Sequence, residues 1–168
     1  MNVSKSAPLI IHSWTIFAHP LFIAQVEILA QQVETLRQKY PVDYENKNAS
    51  KRSAAIVKLA FDVIPQDPTR PEYRQGNTLG DNHKHWFRAK FFQQYRLFFR
   101  YHAPGKVVVL AWVNDEDSKR GSASSDDAYR VFRTMLEAGN STDDWAQLLA
   151  QARADCQRLK QVFTGLKS

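Results

Sequence analysis

Cysteine is almost missing: Cys156 stands alone in 168 residues, which excludes an intrachain disulfide framework and a multi-cysteine zinc site. Long apolar runs are missing too. The longest, Val107–Val113, falls far short of the ~20 residues that cross a bilayer, so neither a transmembrane helix nor a membrane partner is expected. Glycine and proline number only 6 and 7, and no tract repeats or is of low complexity, which rules out collagen-like or wholly disordered chains. The N-terminus carries Lys5 and a short Pro8–Ile11 patch without a signal-like apolar region, so the expected compartment is the cytoplasm. Most informative is the absence of acid: from Asn82 to Asn114 there is no Asp or Glu.

Against these gaps, 43% apolar and 12% aromatic residues supply material for one core, and a single domain over 1–168 is expected. Within it, 1–12 reads as a flexible segment and 141–163 as an appended C-terminal helix. The formal charge is +6, and the acid-free stretch holds six cations: Lys84, Arg88, Lys90, Arg96, Arg100 and Lys106. Without them the chain is balanced, so one aromatic-rich segment carries the whole excess and points to a polyanionic partner.

The order of elements predicts an α+β fold. Ser13–Ala18 reads as a strand, broken by His19-Pro20. Phe22, Val26, Leu29, Val33, Leu36 and Tyr40 then follow the spacing of a buried helix face. Asp43 is placed to cap a second helix that buries Ile56, Leu59, Ala60 and Val63 and stops at Pro65, completing an αα-hairpin. Pro65–His85 lacks periodicity and reads as a long loop. The segments WFRAKF, QYRLFFRYH and KVVVLAWV predict strands, the last two joined through a type II turn at Pro104-Gly105, with Val107–Val113 central and covered on both faces. Residues 115–125 form a polar loop, Asp126–Ala138 a helix closed by Gly139, and Ser141–Asp144 a capping box opening a last helix through Trp145, Leu149, Ala152, Cys156, Leu159 and Phe163.

Side chains two apart share a strand face, so Arg88 and Lys90 point one way, as do Arg96, Phe98 and Arg100, while Tyr95, Leu97, Phe99 and Tyr101 turn toward the first two helices. Such crowded cations suit an anion that neutralises them. Pairing of Arg96 or Arg100 with Glu27 or Glu34 is the structural alternative.

Several blocks in fixed order, IFAHPLF, VETLRQKYP, PEYRQGNTLG, WFRAKF, QQYRLFFRY, VVVLAWVNDEDSKR, DAYRVFRTML and TDDW, resemble the YhaV toxin family of the RelE/ParE toxin–antitoxin superfamily. The resemblance spans about Trp14 to Trp145. It implies a RelE-like fold, with a strand and αα-hairpin packed on a small, mainly antiparallel sheet. It also implies an endoribonuclease that cuts mRNA on the ribosome without metal or other cofactor. A PrlF-type antitoxin is the implied partner, with operator DNA reached only through their complex. Arg88 and Lys90 match the superfamily's basic pair, Arg96 its Tyr-Arg strand, and Arg120 and Tyr129 its late Arg and C-terminal Tyr. The loop before Tyr129 is longer here than in shorter members.

Cleavage by the neighbouring ribose 2′-OH builds negative charge on phosphoryl oxygens, which fixed cations stabilise. Arg88 and Arg96 suit the equatorial oxygens, and Lys90 or Arg120 the departing 5′-oxygen. Tyr129 reads either as the general base, if cations favour its phenolate, or as a core aromatic docking its helix. Lys84, Trp86, Phe98, Arg100 and Lys106 are the candidate RNA-binding set, the two rings by stacking. His83 and His85 lack a third ligand at zinc-like spacing, so no metal site is expected; His102 is an acid–base candidate and His19 a helix-start residue. The alternatives are a ParE-like topoisomerase inhibitor and a non-catalytic nucleic-acid-binding regulator.

Overall fold

Five strands form one sheet in the computed structural model, which describes residues 7–76, 78–114, 124–139 and 143–167. They are β1 (Leu9–Ile11), β2 (Trp14–Ala18), β3 (Phe87–Phe91), β4 (Tyr95–His102) and β5 (Val107–Val113), in the order β1-β2-β5-β4-β3. Neighbours run antiparallel except β2 and β5, which are parallel. The α+β, mainly antiparallel expectation therefore holds. β5 is central and buried from Val108 onward, as its unbroken apolar run predicts.

Strand alternation divides the molecule into two cores. On one face Ile16, Ala18, Leu97, Phe99, Val108 and Leu110 pack with α1 (Pro20–Lys39) and α2 (Asn48–Lys58). On the other, Phe17, Phe98, Val109 and Ala111 pack with α3 (Ser124–Ala138) and α4 (Trp145–Ala154). A bulge sets Phe98 opposite Trp112 but Phe99 opposite Leu110, and the extra residue lets Ala111 and Trp112 both join the second core. The last helix, α5 (Cys156–Lys167), belongs mainly to the first core through Leu159, Val162 and Phe163.

Several local expectations are corrected. Residues 9–11 are a strand, not part of a flexible segment: His12 and Ser13, at φ 52° and 75°, make the tight turn that folds β1 onto β2. That left-handed pair takes the place of the Asn-Gly signal by which such turns are read. The stripe on α1 is buried only at Phe22, Ile23, Val26 and Leu29; Val33 and Leu36 are half-buried, and Tyr40 is exposed where the helix outruns the sheet. The second helix is not one run capped by Asp43. It is a 3-10 turn (Tyr44–Asn46), α2, a π turn (Leu59–Val63) and a final turn (Ile64–Gln66), with the Asp43 carboxylate accepting from Asn46. The wide π turn, in which the Ile64 N–H reaches Leu59 O, rearranges the carbonyls that the Pro65 ring would strike in a regular helix.

The loop before β3 is ordered by 3-10 turns at Pro71–Tyr73 and Asp81–His83 and by an Arg74–Phe87 bridge. At the β4–β5 hairpin, Lys106 rather than Gly105 takes positive φ (53°), so the turn is not type II. Gly139 closes α3 at φ 81°, as expected. Ser141 and residues 115–123 lie outside the described residues; α4 is capped by Asp144, whose carboxylate accepts from the Gln147 N–H at 2.9 Å. The C-terminal helix breaks at Asp155 because its halves serve opposite cores, Leu148 and Ala152 the second and Leu159 the first.

Candidate functional site

The β3–β4 register sets Arg88 opposite Phe98 and Lys90 opposite Arg96, so the predicted basic pair and Arg96 share the face covered by α3. Cations gathered on one face are unfavourable unless an acceptor lies among them. Tyr129 of α3 supplies one for the two arginines. Its hydroxyl accepts from Arg88 Nε at 2.8 Å and from Arg96 Nε at 3.3 Å. Its ring is 7% exposed and meets Phe98 edge-on at 5.6 Å. Tyr129 thus docks α3 through its ring and turns its oxygen toward two guanidinium groups.

The two arginines are held differently. Arg96 is buried (6% exposed) and donates through Nη1 to the carbonyls of Gln93 at 2.7 Å and Tyr95 at 3.0 Å. Its backbone N–H donates to Asn114 Oδ1, while Asn114 Nδ2 donates to Gln94 O, so a buried asparagine fixes the strand start. Arg88 is half-buried and donates from Nη1 to Glu72 O at 2.7 Å. Lys90 is exposed beside them, and Arg120 lies outside the described residues.

A cleft of about 220 Å³ opens next to Tyr129, lined by Thr78, Tyr129, Arg130 and Arg133. Arg130 and Arg133 are absent from the sequence-derived set, although Tyr129 and Arg133 stand at i and i+4 of a helix and Arg130 and Arg133 at i and i+3, the spacing that brings side chains together. A larger groove of about 1300 Å³ lies between α1, α2 and α5, on the other core's side. It mixes Glu34, Glu45 and Asp62 with Arg37, Lys51 and Lys58 and has no cationic field to hold a polyanion.

The candidate RNA-binding residues divide. Lys84 is exposed, and so is Lys106 at the hairpin tip. Trp86 and Phe98 are fully buried in the second core, against Phe132 at 5.0 and 4.4 Å, so neither ring presents a face for base stacking. Arg100 pairs with neither Glu27 nor Glu34; it donates to Asp143 O at 2.8 Å and lies against the Trp86 and Trp145 rings. Glu27 is held by Arg158 and Glu34 by Arg37. His102 Nδ1 accepts from Gly105 N–H and shapes the turn, and His19 Nδ1 accepts from Leu21 N–H as the cap of α1. His83 and His85 gain a neighbour that spacing along the chain hides, Asp143, at 3.4 and 2.7 Å.

A family model described as "Toxin with endonuclease activity, of toxin-antitoxin system" matches residues 16–153. The chain belongs to the YhaV toxin family. It is 40% identical over 140 residues to the ribonuclease toxin YhaV of Escherichia coli K12, covering 82% of this chain and 91% of that one. The toxin YhaV of Escherichia coli O157:H7 is matched to the same extent, and that of strain CFT073 at 39% identity. No solved structure matches the chain. Membership selects an endonuclease toxin of a toxin–antitoxin system over the topoisomerase-inhibitor and non-catalytic alternatives. All the described site residues, Arg88, Lys90, Arg96 and Tyr129, fall inside the matched span. No described helix is long and apolar enough to cross a membrane.

Proposed function

We propose that the chain cleaves mRNA as a metal-independent endoribonuclease acting on the ribosome in the cytoplasm, silenced by a PrlF-type antitoxin and meeting operator DNA only in their complex. The observation that carries this reading is the Tyr129 oxygen held between the Arg88 and Arg96 guanidinium groups. RNA as substrate is supported by the relative named a ribonuclease toxin.

In this reading Tyr129 is the general base: the ribose 2′-oxygen attacks the adjacent phosphorus while its proton passes to the Tyr129 oxygen. The bond to the 5′-oxygen breaks and that oxygen takes a proton from solvent, leaving a 2′,3′-cyclic phosphate and a 5′-hydroxyl end. Arg88 and exposed Lys90 stabilise the charge on the phosphoryl group, with Arg120 a further candidate at the departing oxygen. Arg96, committed to backbone carbonyls, acts through Tyr129 as a positioning residue. Arg130 and Arg133 line the path of the strand.

Mapping RNA 5′ ends after a brief induction pulse tests this. New 5′-hydroxyl ends within coding regions are expected with the natural chain and not with Arg88→Ala. Growth arrest by the natural chain without such ends would overturn the reading.

A further inference from the structure

Two imidazoles and a carboxylate from distant parts of the chain converge beside the second core. His83, His85 and Asp143 bring one ligand atom each within 4.8 Å of one another, and all three residues are partly buried. Asp143 Oδ1 is 2.7 Å from His85 Nε2 and 3.4 Å from His83 Nδ1. The same oxygen accepts from Trp86 Nε1 at 2.6 Å. His83 Nδ1 is buried and makes no hydrogen bond. A shared proton therefore satisfies His85 and leaves the His83 nitrogen orphaned, which costs stability at a buried site.

We propose that His83, His85 and Asp143 bind a divalent first-row transition metal ion of the zinc class, with a fourth position open to water. Two neutral nitrogens and one carboxylate oxygen are a donor set that zinc accepts, and three protein ligands plus water is a common open arrangement. Tetrahedral coordination with Zn–N near 2.0–2.1 Å sets donor atoms about 3.3 Å apart; the His83–Asp143 spacing of 3.4 Å already fits, the 2.7 Å His85–Asp143 contact must open a little, and no pair starts more than 4.8 Å apart. The surroundings already hold the ligands in place. The His83 carbonyl accepts from Gln75 Nε2 at 2.7 Å, the Trp86 indole N–H fixes the carboxylate, and Arg100 is engaged by the Asp143 carbonyl and two indole rings.

The ion would tie the segment preceding β3 to the start of α4, adding to the His85 and Trp86 hydrogen bonds that already reach Asp143. Thr78 of that segment lines the cleft beside Tyr129, and the ring contacts Tyr129–Phe98–Phe132–Trp86 link the two sites. Its role is to stiffen the cleft wall, and it takes no part in the cleavage step proposed above.

The test uses tag-free, full-length protein stripped with chelator and then titrated with Zn²⁺ or Co²⁺ alone. Expected are one ion per chain at micromolar affinity or tighter, the visible absorption of four-coordinate Co²⁺, and a rise in melting temperature with Zn²⁺. His83→Ala should weaken binding at least about tenfold and abolish the thermal shift, while His12→Ala and His102→Ala leave both unchanged. Asp143→Asn should act like His83→Ala; if it fails to fold, His83→Ala decides, because the His83 side chain makes no hydrogen bond there to lose at Nδ1. Absence of stoichiometric binding, or binding that survives His83→Ala in a folded protein, overturns the proposal.

Discussion

Tyr129 and its two arginines invite separation one group at a time. Tyr129→Phe keeps the ring against Phe98 and removes only the oxygen that Arg88 and Arg96 face. Single-turnover cleavage is expected to fall on the order of 100-fold with RNA affinity nearly unchanged. Undiminished cleavage would reduce Tyr129 to a packing residue. The arginines should part company in stability. Arg88→Ala, half-buried and bonded to a single carbonyl, is expected to lose cleavage with little change in melting temperature. Arg96→Ala empties a buried site, strands the carbonyl of Tyr95 there and unties that of exposed Gln93, and should cost about 1–3 kcal/mol in denaturant unfolding. Equal stability losses in the two variants would contradict this division. The sequence shows that these residues share a face, because alternation along a strand is local. It does not show that Arg96 is buried or that Phe98 and Trp86 are covered, since Tyr129 and Phe132 of α3 come from a distant part of the chain.

Elements reveal the same boundary between local and distant information. β5 is recognisable from an unbroken apolar run and α3 from its closing glycine, whereas the β1 turn rests on left-handed His12 and Ser13, and the break at Asp155 exists only because two cores compete for one helix. Phe132 is the residue through which α3 grips the sheet, stacked on Phe98 at 4.4 Å and Trp112 at 5.7 Å and edge-on to Trp86 at 5.0 Å. Phe132→Ala should cost about 3–5 kcal/mol and, by loosening the helix that carries Tyr129, depress cleavage in the fraction that remains folded. A loss below 1 kcal/mol in chemical denaturation would refute that account. The start of α1 supplies a pH dependence. Burial holds His19 below the usual imidazole range, outweighing the Gln151 hydrogen bond and the Asp155 charge that pull the other way. The unfolded ring therefore takes up its proton first, near pH 6.5, and stability falls as pH drops from there toward the lower folded value. His19→Asn keeps a cap without a titrating ring and should flatten the stability profile between pH 7 and 5; an unchanged slope would assign the acid loss elsewhere.

For the molecule as a whole, the charge excess is legible before any fold is known, because the acid-free stretch of 82–114 becomes β3, β4, β5 and their connections. The division of labour within it is not legible, since burial turns Arg96 and Arg100 inward and leaves Lys84, Lys90 and Lys106 at the surface. Lys84 and Lys106 should act as uniform binders, whereas Lys90 stands beside the Tyr129 cluster. Lys84→Ala and Lys106→Ala are each expected to weaken RNA binding and to reduce the salt slope by about 0.7 for a single strand, with cleavage at saturation unchanged. A slope that does not move would remove them from the RNA path. The parallel pairing of β2 with β5 has a further consequence, for synthesis. The parallel partner of Thr15 is Val107, so the N-terminal strand emerges from the ribosome long before the central strand exists to receive it. Tyr129 and the helix that seats it emerge later still. Truncated products that stop before α3 would carry the cations of β3 and β4 without the hydroxyl group that faces Arg88 and Arg96.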